Sequence, residues 1–350
     1  MGHGLQIWLQ TMWFLARIGG REIVVLDEPD VFLHADLQRK LIRILKNQNR
    51  QSIIATHSIE MMAEVDLSCI VVADRRRRRS RFATSLPAVQ GIIEHMGGVH
   101  NIHLARLWNH RKVIFVEGDD DLALLKIFQD TAYPTSEEPF DILPHFDVGG
   151  WGGWNLVVGS SMTFQGSGGE KIRKYCVMDR DYHTEEEIGE RKRSALEHGV
   201  DLHIWAKKEI ENYTVSPEVI SRYISDRRKK GATISLKEVR ENLDRICESL
   251  RDETLDLISQ QFNYAHRPKN PSEGNRYARE VLREKWTLLA GKLGVVGGKT
   301  LLARISEWTQ MSFGIGLNAF ALARFMRRAE LDAELVSILE AMESGRSFSV

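Results

Sequence analysis

The chain has 350 residues, of which 43% are hydrophobic and 27% are charged. This composition is typical of a soluble globular protein, and the length allows two domains. Lys plus Arg and Asp plus Glu balance at 48 each. The balance argues against a protein that holds nucleic acid by bulk charge alone, although local basic grooves remain possible.

The sequence also lacks the features of secreted and membrane proteins. Its three cysteines form no CxxC pair, so neither a disulfide framework nor a zinc cluster is predicted. No apolar run approaches the roughly 18 residues that a membrane span needs. The N-terminus has no basic region and no small-residue cleavage site. We therefore expect a cytoplasmic protein without a membrane partner.

The N-terminal part of the sequence has the alternation of an α/β sheet. Apolar residues predict helices over 4–18, 37–45 and from about 59. Short apolar runs predict buried strands, which are residues 23–26, 52–55 and 68–73. We expect this first domain to cover residues 1–109 and to be built on a parallel sheet.

Polar residues at the predicted strand ends suggest half of an ATP site. A buried strand ends in Asp27 and Glu28, a pair in which Asp27 can hold Mg²⁺ and Glu28 can polarise the attacking water. His57 ends the next strand. Gly2 and Gly4 open the first helix, where backbone N–H groups suit phosphate.

A second α/β unit follows, and its strand ends are rich in acids. Its predicted strands are residues 112–117, 142–148, 174–179 and 202–206, and the pattern from 217 onward is mostly helical. Functional groups gather at the carboxyl ends of parallel strands, so Glu117, Asp121, Asp179 and Asp181 are expected to share one crevice. Asp179 and Asp181 are two residues apart, which in extended geometry places them on one side. Four carboxylates at close range favour two Mg²⁺ or Mn²⁺ ions.

These motifs resemble two known domain families. The segments around Gly2 and Gly4, Asp27 and Glu28, and His57 resemble the signature, Walker B and switch-histidine segments of ABC-type ATPases. The Val-Glu-Gly-x-x-Asp pattern that begins at Val116, followed by Asp-x-Asp at Asp179, resembles the Toprim domain. Their order is similar to the OLD (overcoming lysogenization defect) family of nucleases.

The resemblance implies an α/β fold. A partial ABC-ATPase parallel sheet (1–109) would precede a Toprim, Rossmann-like domain (110–216) with a helical C-terminal extension (217–350). It also implies a metal-dependent DNA endonuclease that works by two-metal hydrolysis. An ATPase portion would regulate the nuclease and form a homodimer, and the family is associated with defence against bacteriophage. Glu211, in a segment that resembles the family's Glu-Asn-Tyr element, would be another metal ligand, and Lys299 would hold the scissile phosphate.

One departure from the ATPase pattern changes what is expected of nucleotide binding. No Gly-x-x-x-x-Gly-Lys-Ser/Thr loop is present, so ATP is expected at a partial site that a missing N-terminal half or a partner completes. Autonomous ATP hydrolysis is not expected. The alternatives are a regulatory or scaffold ATPase subunit in DNA repair with an inactive Toprim part, or another Toprim enzyme of the topoisomerase or primase kind.

Overall fold

The structure, a computed structural model, divides into two compact units. It describes residues 3–18, 23–48, 51–72, 81–82, 106–107, 109–136, 138–140, 142–165, 172–227, 234–268 and 270–348. One unit consists of residues 1–112 with 135–144, and the other of residues 113–134 with 145–350. Within these described ranges, no helix is long and apolar enough to cross a membrane.

The first unit contains a parallel strand pair with a helix between the strands. Its elements are α1 (His3–Arg17), β1 (Val24–Asp27), α2 (Ala35–Lys46), β2 (Ser52–Ala55) and α3 (Ile59–Ala63). Strand β1 pairs with β2 in parallel register. Helix α2 buries Leu41, Ile42 and Leu45, and these side chains form a core with Leu15 and Val24. The α/β class expected for this region is confirmed.

The strand predicted over 68–73 is wrong in extent and in pairing. Leu67–Cys69 forms a 3-10 turn, and only Val71–Val72 is a strand (β3), antiparallel to Arg81–Phe82 (β4). Asp66 explains the turn, because its side chain accepts the Ser68 N–H at 2.8 Å. An Asp that bonds the backbone two residues ahead favours a turn over a strand.

In its described residues, the second unit has a four-stranded sheet with helices packed around it. Its strands lie in the order β6-β5-β7-β8, and β6 pairs with β5, and β8 with β7, in parallel. The strands are β5 (Lys112–Val116), β6 (His145–Asp147), β7 (Arg173–Met178) and β8 (Asp201–Ile204). The helices are α4 (Asp119–Ala132), α5 (Trp154–Gln165), α6 (Glu185–Glu197), α7 (Pro217–Arg227), α8 (Leu236–Ser249), α9 (Arg251–His266), α10 (Ser272–Lys285), α11 (Leu289–Val295), α12 (Gly298–Phe313), α13 (Ala319–Phe325) and α14 (Ala333–Ser344).

The two central strands of this sheet are buried because their side chains are almost all apolar. Every residue of β5 is buried, and so are five of the six residues of β7. Such continuous apolar runs are typical of strands covered on both faces. Each strand begins with a basic residue, and the chain turns polar again only after Val116 and after Met178, where these strands end.

The first unit exposes apolar side chains from its strands and its first helix. Val25 and Ile53 face each other in the β1–β2 register and are 65% and 53% exposed, while Trp13 on α1 is 68% exposed. Grouped apolar exposure of this kind promotes association.

We expect the protein to self-associate at high micromolar concentration, and the double variant Val25→Thr/Ile53→Thr to reduce the association, because both changes remove exposed apolar area. Light scattering measures the effect. Leu196→Thr, at a more exposed position in the second unit, should leave the apparent mass unchanged. A wild-type protein that stays monodisperse and monomeric would contradict the expectation.

Candidate active site

Two carboxyl groups meet at the ends of the central strands. Glu117 directly follows β5 and Asp179 directly follows β7. The backbone N–H of Asp179 donates a hydrogen bond of 3.1 Å to Glu117 Oε1. The Asp179 side chain is buried and its Oδ1 accepts the backbone N–H of Ile210 at 2.9 Å. Backbone hydrogen bonds therefore fix both carboxyl groups at the same edge of the sheet.

Two more carboxyl groups join this pair. Asp121 lies in the first turn of α4, and its Oδ2 accepts the Gly118 N–H at 3.1 Å. Glu211 lies in a buried 3-10 helix, Ile210–Thr214, and is only 4% exposed. Its Oε2 is buried and has no hydrogen-bond partner. The name acid cluster is used below for Glu117, Asp121, Asp179 and Glu211.

The pKa values of the acid cluster are raised because burial and mutual repulsion both disfavour the charged forms. Burial, then repulsion by Asp181, raises the pKa of Glu117 to about 7. Burial, then repulsion by Glu211, raises the pKa of Asp121 to about 6. The pKa of Asp179 rises to about 9 through burial and the charges of the other three members. Burial raises the pKa of Glu211 as well. The cluster must therefore hold protons or attract cations.

Asp181 lies beside the acid cluster, but its backbone is not in the extended conformation that the sequence analysis expected. Its backbone has a φ of 47°, in the left-handed region, so the expectation that extended geometry places it on the same side as Asp179 is wrong. Strand β7 ends at Met178, and the chain turns before residue 181. The Asp181 Oδ1 lies 3.2 Å from Lys208 Nζ, and its charge still contributes to the raised pKa of Glu117.

Lys299 faces the acid cluster from the start of α12. Its Nζ lies 3.4 Å from Glu211 Oε1, and its side chain remains 65% exposed. Burial alone would lower the pKa of Lys299, but the charges of Glu211 and Glu209 raise it. The lysine is therefore cationic at neutral pH and can reach both the cluster and solvent.

Asn212 and Glu209, which the sequence did not single out for this role, hold the lysine in place. Asn212 Nδ2 donates to the carbonyl oxygens of Leu293 and Val296 at 2.7 and 2.9 Å. Glu209 Oε2 accepts the backbone N–H of Lys299 at 3.0 Å. Gly298 must be glycine, because a Cβ there would lie 2.8 Å from Asn212 Oδ1. Glu209 is thus occupied in fixing the helix start, which explains its burial.

Arg191 and Trp151 form the wall beside Glu117. The Arg191 guanidinium lies 4.2 Å from the centre of the Trp151 ring, and Arg191 Nη1 donates to the Trp151 carbonyl at 2.9 Å. The His183 ring stacks on the Trp151 ring, with 3.8 Å between the ring centres. Gly150 has a φ of 84°, and a Cβ there would lie 3.5 Å from Glu117 Oε2. These contacts make Trp151 a packing residue of the glycine-rich loop.

The acid cluster does not form a ready-made coordination shell. Across the ranges that the structure describes, no three His, Cys, Asp or Glu side chains are arranged so that they could hold a metal ion. Glu117, Asp121 and Asp179 each direct one oxygen to a backbone N–H. The chemistry of the donor set still fits a hard cation, since it supplies only carboxylate oxygens, one of which is a buried, unpartnered atom of Glu211.

The predicted ATP-site residues of the first unit lie at one end of its strand pair. Asp27 ends β1 and pairs with Ala55, and the Glu28 N–H donates to the Ala55 carbonyl at 2.8 Å. His57 Nε2 lies 3.9 Å from Glu28 Oε1, and both side chains are exposed. The structure therefore brings Glu28 and His57 together beside Asp27.

The two predicted glycines differ in what the structure says of them. Gly2 lies outside the described residues. Gly4 lies in the first turn of α1, and a Cβ there would lie 2.4 Å from the carbonyl oxygen of Phe32. This close approach gives Gly4 a packing reason to be glycine, independent of any phosphate.

Comparison with known proteins bears on the first unit. Residues 1–63 match the family model described as "AAA domain, putative AbiEii toxin, Type IV TA system". The matched segment contains Asp27, Glu28 and His57, and it identifies an ATPase-type domain, which implies nucleotide binding. A search of curated proteins finds no match to the chain.

Repulsion within the acid cluster makes a testable prediction about stability. The folded-state pKa of Asp179, about 9, exceeds the value of about 3.9 in an unfolded chain. The cluster therefore destabilises the fold progressively as pH rises above about 4, and not below it. Asp179→Asn keeps an acceptor for the Ile210 N–H and removes the charge. In EDTA at pH 8 we expect its melting temperature to exceed that of the wild type by about 2–4 °C, which corresponds to about 1 kcal/mol.

The difference should vanish near pH 3, where Asp179 is protonated in both the folded and the unfolded state. Differential scanning fluorimetry at the two pH values makes the comparison. A variant that melts below the wild type at pH 8 would show that the carboxylates do not repel one another as described.

The hydrogen bonds by which Asn212 and Glu209 hold the backbone near Lys299, called the clamp below, give a second prediction. Asn212→Ala removes three buried hydrogen bonds, two of which Asn212 donates to the carbonyl oxygens of Leu293 and Val296. We expect the free energy of unfolding to fall by about 2–4 kcal/mol, measured by urea denaturation. Asn242→Ala removes two exposed hydrogen bonds, to the Glu238 carbonyl and from Arg245 Nη1, and should change the free energy of unfolding by less than about 0.5 kcal/mol. Equal effects of the two changes would argue against the clamp.

Proposed function

We propose that this protein is a metal-dependent DNA endonuclease that hydrolyses phosphodiester bonds at the acid cluster. The observation that carries the proposal is the convergence of Glu117, Asp121, Asp179 and Glu211, whose pKa values are all raised. Groups with strongly perturbed pKa values mark functional sites more often than structural ones. The surrounding chain fixes these groups by backbone hydrogen bonds although their repulsion destabilises the fold.

The ligands proposed for Mg²⁺ or Mn²⁺ are the four members of the acid cluster, with Asp181 at its edge. A donor set made of carboxylate oxygens suits these hard cations and does not suit zinc. When bound, two such ions would act as Lewis acids on the oxygens of the scissile phosphate. Binding of cations would also relieve the repulsion that raises the pKa values of these groups.

Several side chains would act on the substrate or hold the groups that do. The Lys299 ammonium group lies between the cluster and solvent, where it can bind a phosphate oxygen and stabilise the charge that grows during displacement. The backbone N–H of Asp179 holds Glu117 Oε1 in place. Glu209 fixes the backbone of Lys299, which keeps the ammonium group within reach of Glu211. Orientation of this kind contributes to catalysis by positioning.

The ATPase-type domain would regulate this activity. Glu28 and His57 lie together at the strand ends of the first unit, as the resemblance to ABC-type ATPases implies. We propose that ATP binds there at a site completed by another chain or segment, that the first unit forms a homodimer, and that the nuclease is of the OLD type. A role in defence against bacteriophage in the cytoplasm follows from the same resemblance.

A second candidate is a regulatory ATPase subunit whose Toprim part is inactive. One observation favours this candidate. In the described ranges, no three His, Cys, Asp or Glu side chains are arranged so that they could hold a metal ion. This candidate predicts neither divalent-ion binding nor cleavage, so the experiment below separates the two.

Cleavage of supercoiled plasmid in Mg²⁺ or Mn²⁺ tests the proposal. We expect nicked or linear products with the wild type. We expect a loss of at least about 100-fold for Asp179→Ala, because removal of a group that acts in the transition state typically costs this much. Lys299→Ala should lower the rate while leaving ion binding intact.

Glu197→Gln is the matched control, because it removes an exposed carboxylate on α6 and should cut like the wild type. Relaxation with religation would indicate a topoisomerase. Absence of cleavage together with absence of Mn²⁺ binding would support the regulatory subunit and reject the nuclease.

A further inference from the structure

A cavity of about 520 Å³ opens beside the acid cluster, and the function above does not use it. Asp181, Tyr182 and Lys208 form the side next to the cluster, and the chain that leads into α12 forms another side. The third side is one face of helix α9. The volume lies within the range of about 300–1,000 Å³ that is usual for small-molecule sites.

The face of α9 that lines this cavity differs from the face that packs against α10. Glu253, Leu257, Gln260 and Tyr264 line the cavity at helical spacing. All four are exposed, and Tyr264 is 76% exposed. The packing face of the helix carries Ile258, which is buried against α10. The exposed stripe therefore contributes little to the core and is available to a ligand.

The chemistry of this stripe suits a flat, uncharged ring. Leu257 and Tyr264 supply an apolar and an aromatic surface, on which any base can stack. The Glu253 carboxylate and the Gln260 amide supply hydrogen-bond acceptors that match exocyclic amino groups of bases. Asp181 and Glu209 add negative charge around the single cation Lys208 among the lining residues. A phosphate group would be repelled from such a lining, and a neutral base would not be.

We propose that this cavity binds the base of an unpaired nucleotide whose phosphate lies at the acid cluster. The inference rests on the proposed function and names its substrate class, which is nucleic acid with at least one unstacked nucleotide next to the cleaved bond. Asp181 belongs both to the cavity lining and to the surroundings of Glu117, so phosphate and base sites adjoin. A base inside a duplex is stacked and paired, and it can enter only after it leaves the helix.

The test uses a single-stranded hexanucleotide with one 2-aminopurine, a fluorescent base that carries an exocyclic amino group. Titration is done with Ca²⁺ in place of Mg²⁺, and gels verify that the strand stays intact. We expect the fluorescence to change on binding and the strand to bind more tightly than a duplex of the same sequence. Tyr264→Ala should weaken binding by about 5- to 150-fold, because one stacking contact is lost.

Tyr264→Phe keeps the ring and should bind like the wild type, which separates stacking from a general effect on the helix. Met311→Ala truncates another highly exposed side chain of the same unit and should change nothing. Unchanged binding by Tyr264→Ala, or equal binding of strand and duplex, would overturn the inference.

Plasmid cleavage separates this inference from the function on which it rests. If the wild type cuts DNA while Tyr264→Ala binds the hexanucleotide normally, the base site is wrong and the nuclease stands. If the hexanucleotide binds through Tyr264 but no DNA is cut in Mg²⁺ or Mn²⁺, the nuclease is wrong and the base site stands.

Discussion

Repulsion among buried carboxyl groups is the constraint on which this structure depends. Glu117 and Asp179 stand where two buried, largely apolar strands end, and Asp121 and Glu211 are brought to them by a helix start and a 3-10 turn. Burial removes the water that would stabilise their charges. The fold gains no stability from these buried carboxyl groups. We therefore explain their presence by chemistry that needs several negative charges at one place.

The rest of the second unit can be understood as support for that charge. Backbone N–H groups hold the carboxyl oxygens, which fixes their positions without neutralising them. Asn212 ties the turn before α12, and Glu209 ties its first residues, so that Lys299 Nζ lies 3.4 Å from Glu211 Oε1. A cation anchored through its backbone keeps its ammonium group mobile enough to bind substrate. The same turn borders the cavity that faces α9, which places a candidate base site next to the reacting groups.

Much of this was predictable from sequence, because apolar runs that end in acids identify buried strands and the edge at which they end. The parallel pair β1–β2, the central strands β5 and β7, and the meeting of Glu117 with Asp179 follow from that rule. The turn at Asp181 could not be predicted in this way. Its φ is positive although the residue is not glycine, so the local sequence gives no sign of the turn. The strand expected over 68–73 failed because Asp66 favours a local turn. The role of Asn212 depends on contacts more than eighty positions away, which no local pattern indicates.

Isothermal titration of Mn²⁺ into the protein tests the central claim most directly. If the carboxyl groups converge as described, the wild type binds Mn²⁺ and the double variant Glu117→Gln/Asp179→Asn, folded to the same extent, does not. If the wild type binds no Mn²⁺, or if the double variant binds it equally well, the acid cluster is not a cation site and the account of this protein is wrong.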